Sequence, residues 1–393
     1  MSEEGENVGK GIKSKRTVAL AIGLLLAVSV LAFPAQGSEA PDEAAAQAQQ
    51  TAEQVVSFKL PEAQTQATAE YWTRDRMRRT PGLPFPGPIA TGGKEIAAAT
   101  PGPAGGADSS LPDPGAVALA KELYPDDWKR MEASDVVPEG AQAAEAKGTY
   151  AGVVNRVYSY PPPFTRYKAG NAKMQKHFPW KTVGRLFFTV PGLGDFACTA
   201  SVAGGRAVWT AGHCVYTPGY GWHTNMVFVP AYKNGAAPYG MFTVNEMSTL
   251  NAFVNSYSVA YDVAMVSVFD IGGMTVSQWV GNLGAIWGIG AKQHWHFNGY
   301  PVNLGRARYL MVCEGSLSSR ANLNGPDPVG MGCDMGAGSS GGPWWIKHNP
   351  YTGGRFNLVN SVKSFYFAGQ PKEAFGPYFG GGARDLYQWG AAQ

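Results

Sequence analysis

Cys333-Asp334-Met335-Gly336-Ala337-Gly338-Ser339-Ser340-Gly341-Gly342-Pro343-Trp344 is the stretch on which the reading of this 393-residue chain turns. A serine hydroxyl is a weak nucleophile at neutral pH. It needs a base to take its proton and fixed donors to hold the oxyanion that forms on attack. Glycines around a serine suit the second need. Gly338 can take backbone angles closed to residues with a Cβ, which lets its N–H and that of Ser340 point into one small space. Gly341 and Gly342 leave room for a carbonyl. Ser340 is therefore the candidate nucleophile, and the N–H groups of Gly338 and Ser340 are the candidate oxyanion hole.

Residues 338–342 also fit the Gly-x-Ser-x-Gly elbow of α/β-hydrolases, which carry their acid and then their histidine downstream of the serine. Here the only later histidine is His348, with no acid between. The partners must lie upstream. Thr210-Ala211-Gly212-His213-Cys214 supplies a histidine and Tyr261-Asp262-Val263-Ala264 an acid. The order His, Asp, Ser is that of chymotrypsin-type proteases. On these three motifs, the region from about Phe178 to the end resembles a secreted trypsin-like serine protease. It is nearer to the bacterial and glutamyl-endopeptidase-like branches than to animal digestive enzymes.

The resemblance implies an all-β fold of two six-stranded antiparallel Greek-key barrels with the cleft between them. His213 would be the general base and Asp262 the residue that orients it. The competing acids are Asp195, expected in a loop, and Asp270, at the start of a Gly-rich turn. The family register puts the nucleophile immediately before Gly-Gly-Pro, hence Ser340 and not Ser339. Ser339 stands where vertebrate enzymes carry the acid that receives a freshly cut N-terminus. Activation is therefore expected from removal of a prosegment, or without any cut. Asp334, six residues before Ser340, falls where trypsin carries its acid for Arg and Lys side chains, which implies a basic substrate preference. Cys333 directly before it departs from the trypsin disulfide placement. Ser361 falls where the family places a strand that binds the substrate backbone and buttresses the aspartate.

The four cysteines all fall in this region, an even number that fits two disulfides in an oxidising compartment. Cys198 and Cys214 flank the hairpin expected to carry His213, so a bridge between them would clamp the base. Cys313 and Cys333 would form the second pair. Charged residues are 16% of the chain, with 51 Gly and 28 Pro, a balance that favours short strands and turns over helical bundles. A net charge of +3 is too small for a nucleic-acid-binding face. His294 and His296 point the same way if Trp295 lies on a strand, but no acid or thiol close by in sequence completes a zinc site. Nor is there a dense carboxylate loop of the calcium type. No cofactor or obligatory metal is expected. The partner is a protein or peptide substrate, and the chain is expected to be a monomer.

Ahead of the protease-like part, Lys13-Ser14-Lys15-Arg16 precedes a sixteen-residue apolar run, Val18 to Phe33. This reads as a secretory signal peptide over 1–40, with cleavage after Gly37 or Ala40 and no lasting membrane association. Residues 41–148 are rich in Ala, Gln, Pro and Gly and read as a largely disordered prosegment or stalk. Two islands stand out there. One is Tyr71 to Arg79, similar to an element of bacterial protease prosegments and a processing site or a solvated charge run. The other is a helix near Ala116–Leu123. Residues 149–180 read as an extended lead-in to the first barrel, and 181–393 as the protease domain. Strands are expected at Val183–Val190, Phe196–Val202, Arg206–Thr210, Val263–Phe269, Ala307–Cys313 and Leu358–Phe367. The function expected is a secreted serine endopeptidase. The alternatives are an exported binding protein that keeps the fold without turnover, and an esterase of small esters.

Overall fold

The structure is a computed structural model that describes residues 41–84, 103–133, 153–169 and 174–393. The expected signal peptide lies outside the described residues. No described helix is long and apolar enough to cross a membrane.

Six antiparallel strands close the first barrel: Val183–Val190, Gly194–Gly204, Ala207–Thr210, Thr224–Pro230, Phe242–Leu250 and Ala264–Val268. Their order round the barrel places the third beside the sixth, and the fourth returns to the first. Val183–Val190 is expected and found with the same limits, and it is almost wholly buried. Its two faces explain this. Leu186 and Phe188 fill the barrel with Cys198, Val202, Val208, Phe228 and Val266. Phe187 points outward and packs with Trp72, Met77 and Tyr232. A strand covered on both faces loses the alternation that marks a half-exposed one.

The second sheet runs through Glu373–Gly376, Val329–Gly332, Met311–Asn322, His294–Gly299, Pro343–Ile346, Leu358–Val362 and Gly284–Trp287. An antiparallel bridge between Phe365 and Phe375 curls it back toward itself. One pairing departs from the all-antiparallel expectation, since Gly284–Trp287 lies parallel to Leu358–Val362. Two expected strands shift as well. Residues 305–307 form a 3-10 turn with Arg306 and Ala307 at positive φ, so the strand begins at Met311. The later one stops at Val362.

The N-terminal region departs further from expectation. Among the described residues of 41–148, Val55–Lys59 adds a seventh strand to the first barrel sheet, pairing in register with residues 246–250 of Phe242–Leu250. Helices follow at Glu62–Tyr71 and Arg74–Arg79. Gly105–Ala107 pairs with Gly284–Trp287. The helix at Ala116–Leu123 has the limits expected of it. The lead-in also goes elsewhere: Val153–Arg156 and Thr165–Lys168 both pair with Met311–Asn322 of the second sheet.

Candidate active site

Two strands of the first barrel and one of the second sheet deliver the three candidate residues from their ends. His213 sits in a single 3-10 turn, Gly212–Cys214, directly after Ala207–Thr210. Gly212 permits the turn because a Cβ there would lie 2.7 Å from the Phe253 ring. The disulfide Cys198–Cys214, spanning 16 residues, ties the turn to the neighbouring strand. Asp262 caps the turn Val259–Tyr261 and precedes Ala264–Val268, the strand paired with Ala207–Thr210. That pairing brings the two side chains together. His213 Nδ1 lies 2.7 Å from Asp262 Oδ2, and the His213 backbone N–H donates to Asp262 Oδ1 at 2.8 Å. The carboxylate thus fixes both the ring and the backbone of the histidine. Both residues are fully buried, as is Ser340.

The third partner of Asp262 differs from expectation. Ser361 donates its hydroxyl to the Pro377 carbonyl at 2.9 Å. Ser364, three residues on, donates to Asp262 Oδ2. The neighbouring Lys363 is buried with its ammonium on the Ser364 carbonyl at 2.9 Å. Burial pushes its pKa down to about 8, although the Asp262 charge opposes the fall.

The serine loop enters from the second sheet, just before Pro343–Ile346. Gly338 has φ +87° and Gly341 φ +77°, left-handed conformations that favour glycine. Space adds to the constraint at Gly341, where a Cβ would lie 2.2 Å from Thr210 Oγ1. Thr199 of the first barrel holds the loop from behind. Its hydroxyl donates to the Gly338 carbonyl at 2.8 Å and its N–H to the Ser340 carbonyl at 2.8 Å. With both carbonyls turned to Thr199, the N–H groups of Gly338 and Ser340 donate to no protein group among the described residues.

The two adjacent serines separate cleanly. Ser339 donates to the Gly336 carbonyl at 2.7 Å. The Ser340 hydroxyl has no protein partner among the described residues. Asp195 and Asp270 are engaged elsewhere. Asp195 lies in a strand, not a loop, and accepts from Tyr71 and Thr189 at 2.8 Å, while Asp270 takes a two-bonded Arg206 guanidinium.

Asp334 is not the bare acid that a basic substrate preference requires. Arg166 pairs with it at 2.6 Å, and Arg166 comes from Thr165–Lys168, within the stretch expected to be an extended lead-in to the first barrel. Cys313 and Cys333 form the second disulfide. His294 bonds the Ser316 hydroxyl at 3.0 Å and His296 lies 3.0 Å from Glu314. Burial pushes the pKa of His296 down. The Cys–His and Cys–Asp groupings close enough to hold a metal contain only cysteines already spent in disulfides, beside His213 or Asp334.

No family model matches the chain. An extracellular metalloprotease of Bacillus subtilis (strain 168) is 27% identical over 105 residues, 26% of this chain and 33% of that protein. The match therefore spans about a third of that relative. Among solved structures, the protease Anisep of Arthrobacter nicotinovorans is 28% identical, over 54% of this chain and 96% of its own, with a TM-score of 0.48. The thermostable serine protease AL20, from an extremophilic microorganism, is 30% identical over 54% of this chain and 98% of its own, with a TM-score of 0.49. A Glu endopeptidase is 17% identical over 58% and 97%, with a TM-score of 0.45. The closed six-stranded antiparallel barrel with its second sheet is the chymotrypsin-like two-barrel fold of serine proteases.

Proposed function

We propose that the chain is a secreted serine endopeptidase, made as a preproprotein, which hydrolyses peptide bonds through an acyl-enzyme on Ser340. The observation that carries this reading is the pairing of His213 with Asp262, together with a Ser340 hydroxyl that no protein group engages among the described residues. Asp262 accepts the Nδ1 proton, which leaves the lone pair on Nε2. Nε2 takes the Ser340 proton as Oγ bonds to the scissile carbonyl carbon. The N–H groups of Gly338 and Ser340 receive the negative charge that develops on the carbonyl oxygen. Collapse breaks the C–N bond, and His213 returns the proton to the departing amine. Water then repeats the cycle on the ester, freeing the acid and restoring Ser340. The imidazole suits both transfers because its ordinary pKa lies near neutrality.

Export is supported by the two disulfides, which persist in oxidising compartments. The test is labelling of the secreted protein with a fluorophosphonate probe, with mass spectrometry of the labelled peptide, alongside casein hydrolysis. Ser340→Ala is expected to abolish both, since loss of a triad serine costs on the order of a million-fold. Casein cleavage by Ser340→Ala at the wild-type rate would sink the proposal.

A further inference from the structure

A nucleophile and its base must meet a polypeptide, yet Ser340 and His213 are each 0% exposed. Part of the chain lies where access is needed. Pro81-Gly82-Leu83 runs parallel to the strand Gly194–Gly204: Ala197 N–H donates to the Pro81 carbonyl at 2.9 Å, and Leu83 N–H to the Ala197 carbonyl at 3.0 Å. Gly82 presses on the serine loop. A Cβ on Gly82 would lie 2.4 Å from Gly338 N and 2.6 Å from Gly338 Cα. The backbone of 81–83 therefore fills the space beside one of the two proposed oxyanion donors.

The residues just upstream are anchored by an arginine with an unusual environment. Arg185, on the outer face of Val183–Val190, is 1% exposed. Its guanidinium donates to the Met77 and Thr80 carbonyls, each at 3.3 Å, and lies over the rings of Phe187 and Tyr232. No carboxylate pairs with it among the described ion pairs. A guanidinium out of water is costly unless its donors are used. Here the segment 77–80 takes one bond from each terminal nitrogen and the aromatic faces cover the group, while Nε has no hydrogen-bond partner among the described residues. Trp72 adds a second anchor, its indole N–H on the Asn225 carbonyl at 2.5 Å and its ring against Phe187. Thr73 caps the Arg74–Arg79 helix that lies between the anchors. If the segment leaves, Arg185 regains water, so the arrangement can be undone without stranding a buried charge.

We infer that residues 72–83 are a built-in inhibitor of the site, seated by Arg185 and Trp72, and that substrate is turned over only when they are displaced. The inference rests on the reading of Ser340 as the nucleophile. It goes further by assigning the block to one short segment out of the whole region before residue 149.

The experiment labels the full secreted chain with a fluorophosphonate probe and follows labelling in gels, where intact and shortened chains run as separate bands. The variants are Gly82→Val, Arg185→Met and, as control, Ser340→Ala. Gly82 does not have positive φ, so valine is allowed by the backbone and acts through its collision with Gly338. Gly82→Val changes no residue of the barrel, which covers the case in which Arg185→Met fails to fold. A site open in fewer than about one molecule in ten labels roughly ten-fold slower than an open one. The expected result is that intact wild-type chain labels at least about ten-fold slower than intact Gly82→Val. Equal, fast labelling of the two would overturn the inference while leaving the serine reading intact. Equal, slow labelling with a fast shortened band would also overturn it, because the block would then lie elsewhere. Absence of label in every band, or label surviving Ser340→Ala, would overturn the proposed function itself.

Discussion

Asp262 is served by Ser364 and not by Ser361, and the difference is a matter of where a strand ends. Ser361 lies inside Leu358–Val362, where its side chain is committed to the sheet interior and reaches the Pro377 carbonyl. Ser364 lies beyond the strand, where the backbone turns to bond Phe375, and its hydroxyl reaches the carboxylate. A hydrogen bond to a buried charge is worth about 1.5–3 kcal/mol. Ser364→Ala is therefore expected to lower kcat/KM by roughly ten-fold or more, while Ser361→Ala leaves it within about two-fold. Steady-state kinetics on one peptide substrate compares them. Equal losses would remove Ser364 from its assigned role. The same scale decides substrate preference. With Asp334 paired to Arg166 at 2.6 Å, Asp334→Asn is expected to leave the ratio of cleavage after Arg or Lys to cleavage after other residues unchanged. A large fall in that ratio would restore Asp334 as a specificity residue.

At the scale of elements, His213 depends on a turn of three residues that has little stability of its own. The Cys198–Cys214 bridge spans 16 residues, a loop for which cross-linking contributes about 3 kcal/mol. The double variant Cys198→Ala/Cys214→Ala is expected to lose about that much in urea unfolding, and to lose activity under conditions where it remains folded. Retention of full activity would show that the strand pairing alone positions the turn. The candidate site was legible in the sequence because its parts are local: a histidine after a strand, an acid before one, a serine among glycines. The elements that depend on distant partners were not. Val55–Lys59 sits in an Ala- and Gln-rich region with no alternation, and it is a strand because Phe242–Leu250 offers it an open edge. Val153–Arg156 and Thr165–Lys168 joined the second sheet for the same reason. The helix at Ala116–Leu123 was legible because its apolar spacing is a property of the segment alone. Ser364 was missed because it lies past the strand end, and no periodicity marks where Leu358–Val362 stops.

Over the whole molecule, burial of basic groups makes stability depend on pH in a specific direction. His223 is buried with Nδ1 2.9 Å from the Cys214 carbonyl and Nε2 2.9 Å from the Thr217 hydroxyl. Desolvation pushes its pKa down to about 3. Between its ordinary value near 6.5 and that value, the unfolded chain binds a proton that the native chain does not. Stability contributed by neutral His223 is therefore present above pH 6.5 and lost as pH falls toward 3. Lys181 and Lys363 obey the same rule at higher pH, since burial lowers each to about 8 from 10.5. Below pH 8 the native state must carry both charges out of water. As pH rises from 8 toward 10.5 the native chain releases them first, and stability increases. Buried Tyr239 and Tyr261 have raised pKa values, so they oppose this gain only once tyrosines of the unfolded chain begin to ionise near pH 10. The Ser340→Ala protein, unable to digest itself under the proposed function, is the form to measure. Its urea midpoint is expected to rise from pH 7 to about pH 9.5 and to fall from pH 7 to about pH 4. On a Ser340→Ala background, Lys181→Met and Lys363→Met should each raise the midpoint at pH 7 and flatten the alkaline rise. A midpoint that falls between pH 7 and 9.5, or a rise that both methionine variants leave intact, would mean that these lysines meet water in the folded chain.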